Sequence, residues 1–260
     1  MEENKNNSLF NSIAVLVDAD NAAISKMELI VNKILTFGRI TLRRAYGNWK
    51  KENLKDWEDV IKNLAFNPQQ QFDYVKKKNA TDIALVIDAM KLLYTGRYDA
   101  FVIVSSDSDY TPLSITLKET GVYVIGIGNK NASDAFKRSC DDFYSVQKLS
   151  GNTLNKENVG ANEVKVAEKP KVKQLKGMSE KERELHEWLK MGAETERWQN
   201  DEGFVNVSSI GQYIQRIRPD FDITAFGYKK LPEFIEANPE FYETKDYQKG
   251  KVRIRTYKCK

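Results

Sequence analysis

Histidine is nearly absent from this 260-residue chain, which has His186 alone, and its two cysteines, Cys140 and Cys259, stand far apart with no CxxC spacing. Histidine-based acid–base catalysis is therefore excluded from the first 150 residues. Neither a zinc site nor a disulfide framework is indicated. No apolar run approaches the length of a membrane span, so no membrane partner is expected. Met1–Leu9 is polar and acidic rather than signal-like, which makes a cytoplasmic location the expectation. Charge of one sign is also lacking: the net value is +4. A polyanion would have to be recognised by local patches, not by the overall field.

What the chain does have is acid at the ends of buried strands. Ala100-Phe-Val-Ile-Val104 is a continuous apolar run, as in a parallel sheet covered on both faces. It ends in Ser105-Ser106-Asp107-Ser108-Asp109-Tyr110, with Thr111 expected as an N-cap and Pro112 at N1 of the next helix. A second run, Ser12-Ile-Ala-Val-Leu-Val17, ends in Asp18-Ala19-Asp20-Asn21. A third segment, the helix expected from about Thr81, carries Asp82 in its first turn and Asp88 six residues on. Asp88 lies within Leu85-Val-Ile-Asp-Ala-Met90, where an ionised carboxylate needs a partner or a metal. Open α/β proteins keep their sites at the carboxyl edge of the sheet. Acids gathered there suit Mg²⁺ or Mn²⁺, hard ions that take oxygen ligands and need neither histidine nor cysteine. Such an ion activates water and steadies charge on a phosphodiester. The plainer reading, that each aspartate caps a helix or starts a turn, explains any one of them. It explains a gathering from three segments poorly.

Taken in order, residues 1–11 read as a disordered leader. Residues 12–149 alternate strands and helices. The strands are expected at 12–17, 39–46, 72–75, 100–104, 122–127 and 143–146, giving a right-handed βαβ parallel sheet with helices on both faces. From 150 to 178 the composition turns to Gly, Asn, Lys, Glu and Val, a flexible basic linker. Residues 179–260 form a second unit of three helices and a β-hairpin around Gln248-Lys249-Gly250, the winged-helix pattern.

Several residues stand beside the acids as helpers. Asn21 is a candidate to hold a metal water or a phosphate, and Ser105 and Ser106 to bind phosphate or brace Asp107. Lys76, Lys77, Lys78, Arg43 and Arg44 are candidates to guide a polyanion. Tyr46 and Trp49 are candidates to stack a base, with packing an equal alternative.

These motifs together are similar to the NYN family of the PIN-like nuclease superfamily, in its LabA/DUF88-like branch. The carrying residues are Val-Asp-Ala-Asp-Asn (17–21), Tyr-Gly-Asn-Trp (46–49), Lys-Asn-Ala-Thr-Asp-Ile with Ile-Asp-Ala-Met (78–90), Ser-Ser-Asp-Ser-Asp-Tyr (105–110) and Gly-Val-Tyr-Val-Ile-Gly (121–126). The resemblance implies a PIN-like sheet with strands one and four adjacent. It also implies metal-dependent phosphodiester hydrolysis, most often of RNA, by Asp18, Asp82, Asp107 and Asp109. Asn21 would assist, and Asp88 is a further acid of the pattern. Two features depart from it: Tyr110 follows Asp109 where Phe is commoner, and Asp20 is an extra acid of open role. The C-terminal unit resembles the OST-HTH/LOTUS domain through residues 203–214 and 219–235, which implies RNA binding and sometimes a protein partner. Its expected contact surface is Lys229, Lys230, Lys249, Lys251, Arg253 and Arg255, with the two arginines on one hairpin face. A homodimer is an arrangement left open.

The expected activity is thus a two-domain ribonuclease in which LOTUS captures RNA, the tether raises its local concentration, and the NYN acids cut. A rival is a haloacid-dehalogenase-like phosphatase, since Asp18-x-Asp20 resembles its nucleophile motif. That family expects Thr or Val at Ala22 and places its lysine differently. A non-catalytic RNA- or protein-binding adaptor is the other rival, against which the complete acid set argues.

Overall fold

The computed structural model describes residues 9–72, 79–149, 179–195, 198–249 and 252–260. Residues 1–8, the linker 150–178 and the candidate contacts Lys76, Lys77, Lys78 and Lys251 lie outside the described residues. The chain divides into two compact units, one on each side of the boundary between Ser150 and Gly151.

The first unit is a six-stranded sheet in the order β3-β2-β1-β4-β5-β6, with every pairing parallel. Its strands are β1 (Phe10–Asp18), β2 (Gly38–Gly47), β3 (Asn67–Gln70), β4 (Ala100–Val104), β5 (Tyr123–Gly128) and β6 (Asp142–Ser145). The chain builds outward from β1 to β3 and then returns to start β4 on the other side of β1. The boundary between β1 and β4 is therefore the topological switch point, where an open sheet leaves a crevice at its carboxyl edge. Val17 of β1 pairs with Val104 of β4, so the next residues, Asp18 and Ser105, stand side by side where this pairing ends.

Both central strands are buried on both faces: Ile13 to Val17 and Ala100 to Ile103 are all 0 % exposed. Helices α1 (Met27–Leu35) and α2 (Trp57–Asn63) link β1 to β2 and β2 to β3, and right-handed crossovers put both on one face. The other carries α3 (Ala80–Leu93), α4 (Thr111–Glu119) and α5 (Asp134–Ser139). There Leu85, Ala89, Leu113, Leu117 and Phe136 close over Leu16, Phe101 and Ile103.

Three differences from the sequence pattern have physical causes. The strand that pairs with β2 is Asn67–Gln70, ahead of the expected 72–75, of which 73–75 lie outside the described residues. Asn-Pro-Gln-Gln has no apolar alternation, and Pro68 is tolerated because an edge strand can spare a donor. Helix α4 begins at Thr111 itself, whose hydroxyl donates back to Ser108 O at 2.6 Å, so Thr111 is not the N-cap. Ile83 and Ile87 of α3, apolar though they are, are 59 % and 50 % exposed. Leu85, Ala89 and Leu92 form the buried stripe instead.

The second unit holds α6 (Glu180–Ala193), β7 (Val205–Asn206), α7 (Val207–Ile217), α8 (Leu231–Ala237), β8 (Tyr242–Lys249) and β9 (Val252–Cys259). The three strands pair antiparallel in the order β7-β9-β8. A Ser179–Glu182 capping box starts α6, satisfying two backbone donors reciprocally. Leu185, Leu189, Ile210, Tyr213, Ile214, Phe234 and Tyr257 fill the core. The lone histidine is structural: His186 Nδ1 shares a hydrogen bond with Tyr242 Oη at 2.6 Å, and its ring meets Phe241 edge-on.

Candidate active site

The acids converge as a graded set from buried to exposed. Asp18 is 0 % exposed, Asp82 and Asp107 are half-buried, and Asp109 is exposed. Asp18 is the anchor. Its Oδ2 accepts from Ser105 Oγ at 2.9 Å and from Asn21 Nδ2 at 2.8 Å, and its Oδ1 accepts from the Asp20 backbone at 3.2 Å. Three donors satisfy the carboxylate, yet none is cationic. Burial pushes its pKa up to about 6, with the charges of Asp82 and Asp20 adding to the rise and the Asn21 and Ser105 hydrogen bonds opposing it.

Ser105 is the joint of the site, since its Oγ also accepts from the Asp107 backbone at 3.1 Å. Asp107 Oδ1 in turn accepts from the Asp109 backbone at 3.0 Å, capping the short 3-10 turn Ser108–Tyr110. The capping role and a ligand role coexist, because Oδ2 is not used by the cap. Asp109 Oδ2 accepts from Asn79 Nδ2 at 2.8 Å, and Asp82 Oδ1 accepts from Tyr110 Oη at 2.7 Å. Burial raises the Asp82 pKa, and the charges of Asp107, Asp109 and Asp20 raise it further against the Tyr110 hydrogen bond. Asn79 and Tyr110 were not among the candidate residues. Asn79 stands three residues before Asp82 in the 78–90 motif, and that proximity is the signal by which the sequence could have shown it.

Ser105 braces Asp107, one of its two expected roles, and the other helpers make contacts of their own. Ser106 Oγ accepts from the Asn129 backbone at 2.8 Å, tying the β4 loop to the end of β5. Gly128 permits that approach, since a Cβ there would stand 2.3 Å from Ser105 O. Asp20 is exposed and pairs with Lys51 at 3.6 Å. Asp88 takes Arg44 as its ion-pair partner and a hydrogen bond from the Tyr46 hydroxyl. Tyr46 is 1 % exposed, so of its two readings, stacking and packing, the structure selects packing: its ring is core and its hydroxyl serves Asp88. Arg44 is likewise committed to Asp88 rather than displayed. Arg43 Nη1 donates to Leu64 O at 2.6 Å. Trp49 packs tilted against Trp57 at 6.3 Å and lies over Gly47, where a Cβ would meet its ring at 3.2 Å.

In the second unit, Arg253 Nε and Arg255 Nε donate to Asp246 at 2.9 and 2.7 Å, and Arg255 also pairs with Glu236. The two arginines do share a hairpin face, but their charge is balanced locally. Lys229 and Lys230 are exposed at the start of α8.

A parallel sheet split at β1/β4, with this acid set at the split, is matched by the profile of the NYN domain over residues 12–149. The chain belongs to the NYN family. The OST-HTH/LOTUS profile matches residues 178–254, so the NYN domain precedes a LOTUS domain. NYN domains are of nuclease type and generally use divalent metal ions, and LOTUS domains bind RNA or protein. The NYN match leaves the phosphatase reading without support. No curated protein matches the chain. Among solved structures, it is similar to a protein of unknown function from Vibrio parahaemolyticus at 15 % identity and TM-score 0.45, covering 57 % of this chain and 98 % of that one. It is also similar to an uncharacterized protein from Nitrosomonas europaea at 22 % identity and TM-score 0.26, covering 40 % of this chain and 91 % of that one. Among the described residues no helix is long and apolar enough to cross a membrane.

Whether the NYN acids fit a divalent ion is a question of donor chemistry. Among the described residues no three His, Cys, Asp or Glu side chains stand close enough to enclose an ion by themselves. Mg²⁺ and Mn²⁺ do not require that, since one or two carboxylates with waters and substrate phosphates complete their shells. Asp18, Asp82, Asp107 and Asp109 supply only oxygen, and no described basic side chain pairs with any of them. The residues fit the ion.

Proposed function

We propose that this chain is a metal-dependent ribonuclease, whose NYN acids hydrolyse RNA phosphodiester bonds while the LOTUS domain binds the RNA. The observation that carries the reading is the convergence of four carboxylates from three separate segments on the switch point with no described cation to neutralise them. Self-repelling buried acid costs stability and persists where function uses it. Asp18, Asp107 and Asp109 would hold Mg²⁺ or Mn²⁺, with Asp82 completing the set. Bound there, the ion would act as a Lewis acid on the phosphate and lower the pKa of an attacking water.

The protein's own contribution is orientation. Ser105 and Asn21 hold Asp18 in one rotamer, and the 3-10 turn holds Asp107. Asp109 is exposed and, among the described residues, its side chain is tethered by Asn79. The two domains are proposed to span 12–149 and 179–260, joined by 150–178, so that RNA held by LOTUS meets the acids at raised local concentration. Lys229 and Lys230 are the proposed LOTUS contacts, and Lys78 and Lys251 remain proposed contacts from the sequence.

The test is cleavage of labelled single-stranded RNA, structured RNA and matched DNA in Mn²⁺, Mg²⁺ or EDTA, with wild type beside Asp107→Asn. Metal-dependent RNA cleavage lost in Asp107→Asn is the expected result. Equal cleavage by both proteins sinks the site assignment, and RNA binding without cleavage by either favours the adaptor.

A further inference from the structure

Tyr110 is fully buried, in the cluster formed by Leu85, Ala89, Leu113 and Leu117. For that packing a phenylalanine ring would serve as well, and it would bring no hydroxyl into the core. A buried phenol must find an acceptor, and this one donates to Asp82 Oδ1 at 2.7 Å. Asp82 stands in the first turn of α3, on a different element from the turn that carries Tyr110. Its neighbours Asp107, Asp109 and Asp20 repel it. A carboxylate so placed would otherwise rotate toward solvent.

We infer that Tyr110 is a positioning residue that holds Asp82 against its acidic neighbours in the orientation a divalent ion needs. The short turn from Asp107 to Tyr110 then does two things at once. It projects Asp107 and Asp109 outward, and it sends the Tyr110 ring inward to grip the third acid from behind. The β4–α4 connection and the start of α3 are thereby set as one unit, so the spacing of the acids does not depend on α3 alone. Asn79 makes the corresponding contact in the other direction, from the foot of α3 to Asp109. Together the two bonds cross-link the acids of the turn and the helix.

The inference rests on the metal-binding reading of the site, and the experiment separates the two. Mn²⁺ binding to the full chain is followed by electron paramagnetic resonance without RNA, alongside the Mn²⁺ concentration for half-maximal cleavage. Wild type is compared with Tyr110→Phe, Asp82→Asn and, as a purely structural control, Leu113→Ala. Tyr110→Phe should weaken Mn²⁺ binding roughly tenfold, as loss of an outer-shell partner does, while KM for RNA and the melting temperature stay near wild type. Leu113→Ala should lower the melting temperature and leave Mn²⁺ affinity unchanged. Wild-type affinity in Tyr110→Phe alongside weakened binding in Asp82→Asn overturns the inference and spares the metal site. Unaltered binding in both variants removes Asp82 from the metal site and overturns the inference with it. No binding by wild type overturns the metal reading and the inference together.

Discussion

Ser105 Oγ reaches Asp18 Oδ2 at 2.9 Å across two strands that are 87 residues apart in sequence. The same oxygen accepts from the Asp107 backbone, so one hydroxyl fixes the buried acid and the first acid of the next loop. Ser105→Ala removes both bonds and leaves a buried carboxylate with one donor fewer. Stability should fall by about 1–3 kcal/mol in urea denaturation. Metal-dependent cleavage should fall roughly 10–100-fold, as for loss of a ligand-orienting group. Unchanged cleavage would mean that Asp18 is held well enough by Asn21 and the loop.

Asp18 should make the metal-free protein less stable as pH rises. Its folded pKa, about 6, lies above the ordinary value of 3.8, so the native state binds the proton more tightly. The contribution is therefore fully present below about pH 4 and is lost as pH climbs through 6. Its size is on the order of 3 kcal/mol by the linkage relation. In EDTA, Asp18→Asn should lack this step, and its stability relative to wild type should rise between about pH 4 and 7. Parallel melting curves for the two proteins across that range would contradict the assignment.

Asp88 is bound by Arg44 and Tyr46. Breaking one partner strands the other half-buried charge. Arg44→Met and Asp88→Asn should each destabilise the domain, and the double variant should cost less than their sum by about 1 kcal/mol. Mn²⁺ affinity should stay at the wild-type value in Asp88→Asn. A drop comparable to that of Asp82→Asn would add Asp88 to the ligand set.

The LOTUS hairpin offers a gain-of-function test. Asp246 balances Arg253 and Arg255, so Asp246→Ala should release positive charge onto one face. RNA binding by the full chain should tighten at low salt, with a slope against log salt steeper by about one unit. The double variant Lys229→Ala, Lys230→Ala should weaken binding in the same assay. If neither change moves affinity, a protein partner becomes the better occupant of this domain.

Much of the NYN domain was legible in the sequence because a parallel sheet buried on both faces must be written as uninterrupted apolar runs. Ala100–Val104 forms a strand with the expected bounds, and the acids follow directly where such runs stop. Chain order alone also constrains the alternation of strands and helices, which short right-handed crossovers turn into this class of fold. Edge strand β3 leaves no such trace, because an edge strand needs neither apolar alternation nor a complete set of donors.

The sequence by itself determined that carboxylates would collect at strand ends. Only the tertiary structure decided which of them stand alone and which are already occupied. Asp88 and Asp82 lie on the same helix, yet one meets a guanidinium and the other a phenol. Tyr46 reads from its motif as a packing or stacking aromatic and Tyr110 as a variant of the usual Phe, and both turn their hydroxyls onto acids from another segment. Local spacing reports which residues share a strand or a helix face. It carries no information on the partner brought by a strand or turn from elsewhere in the chain, and in a buried site that partner sets the charge.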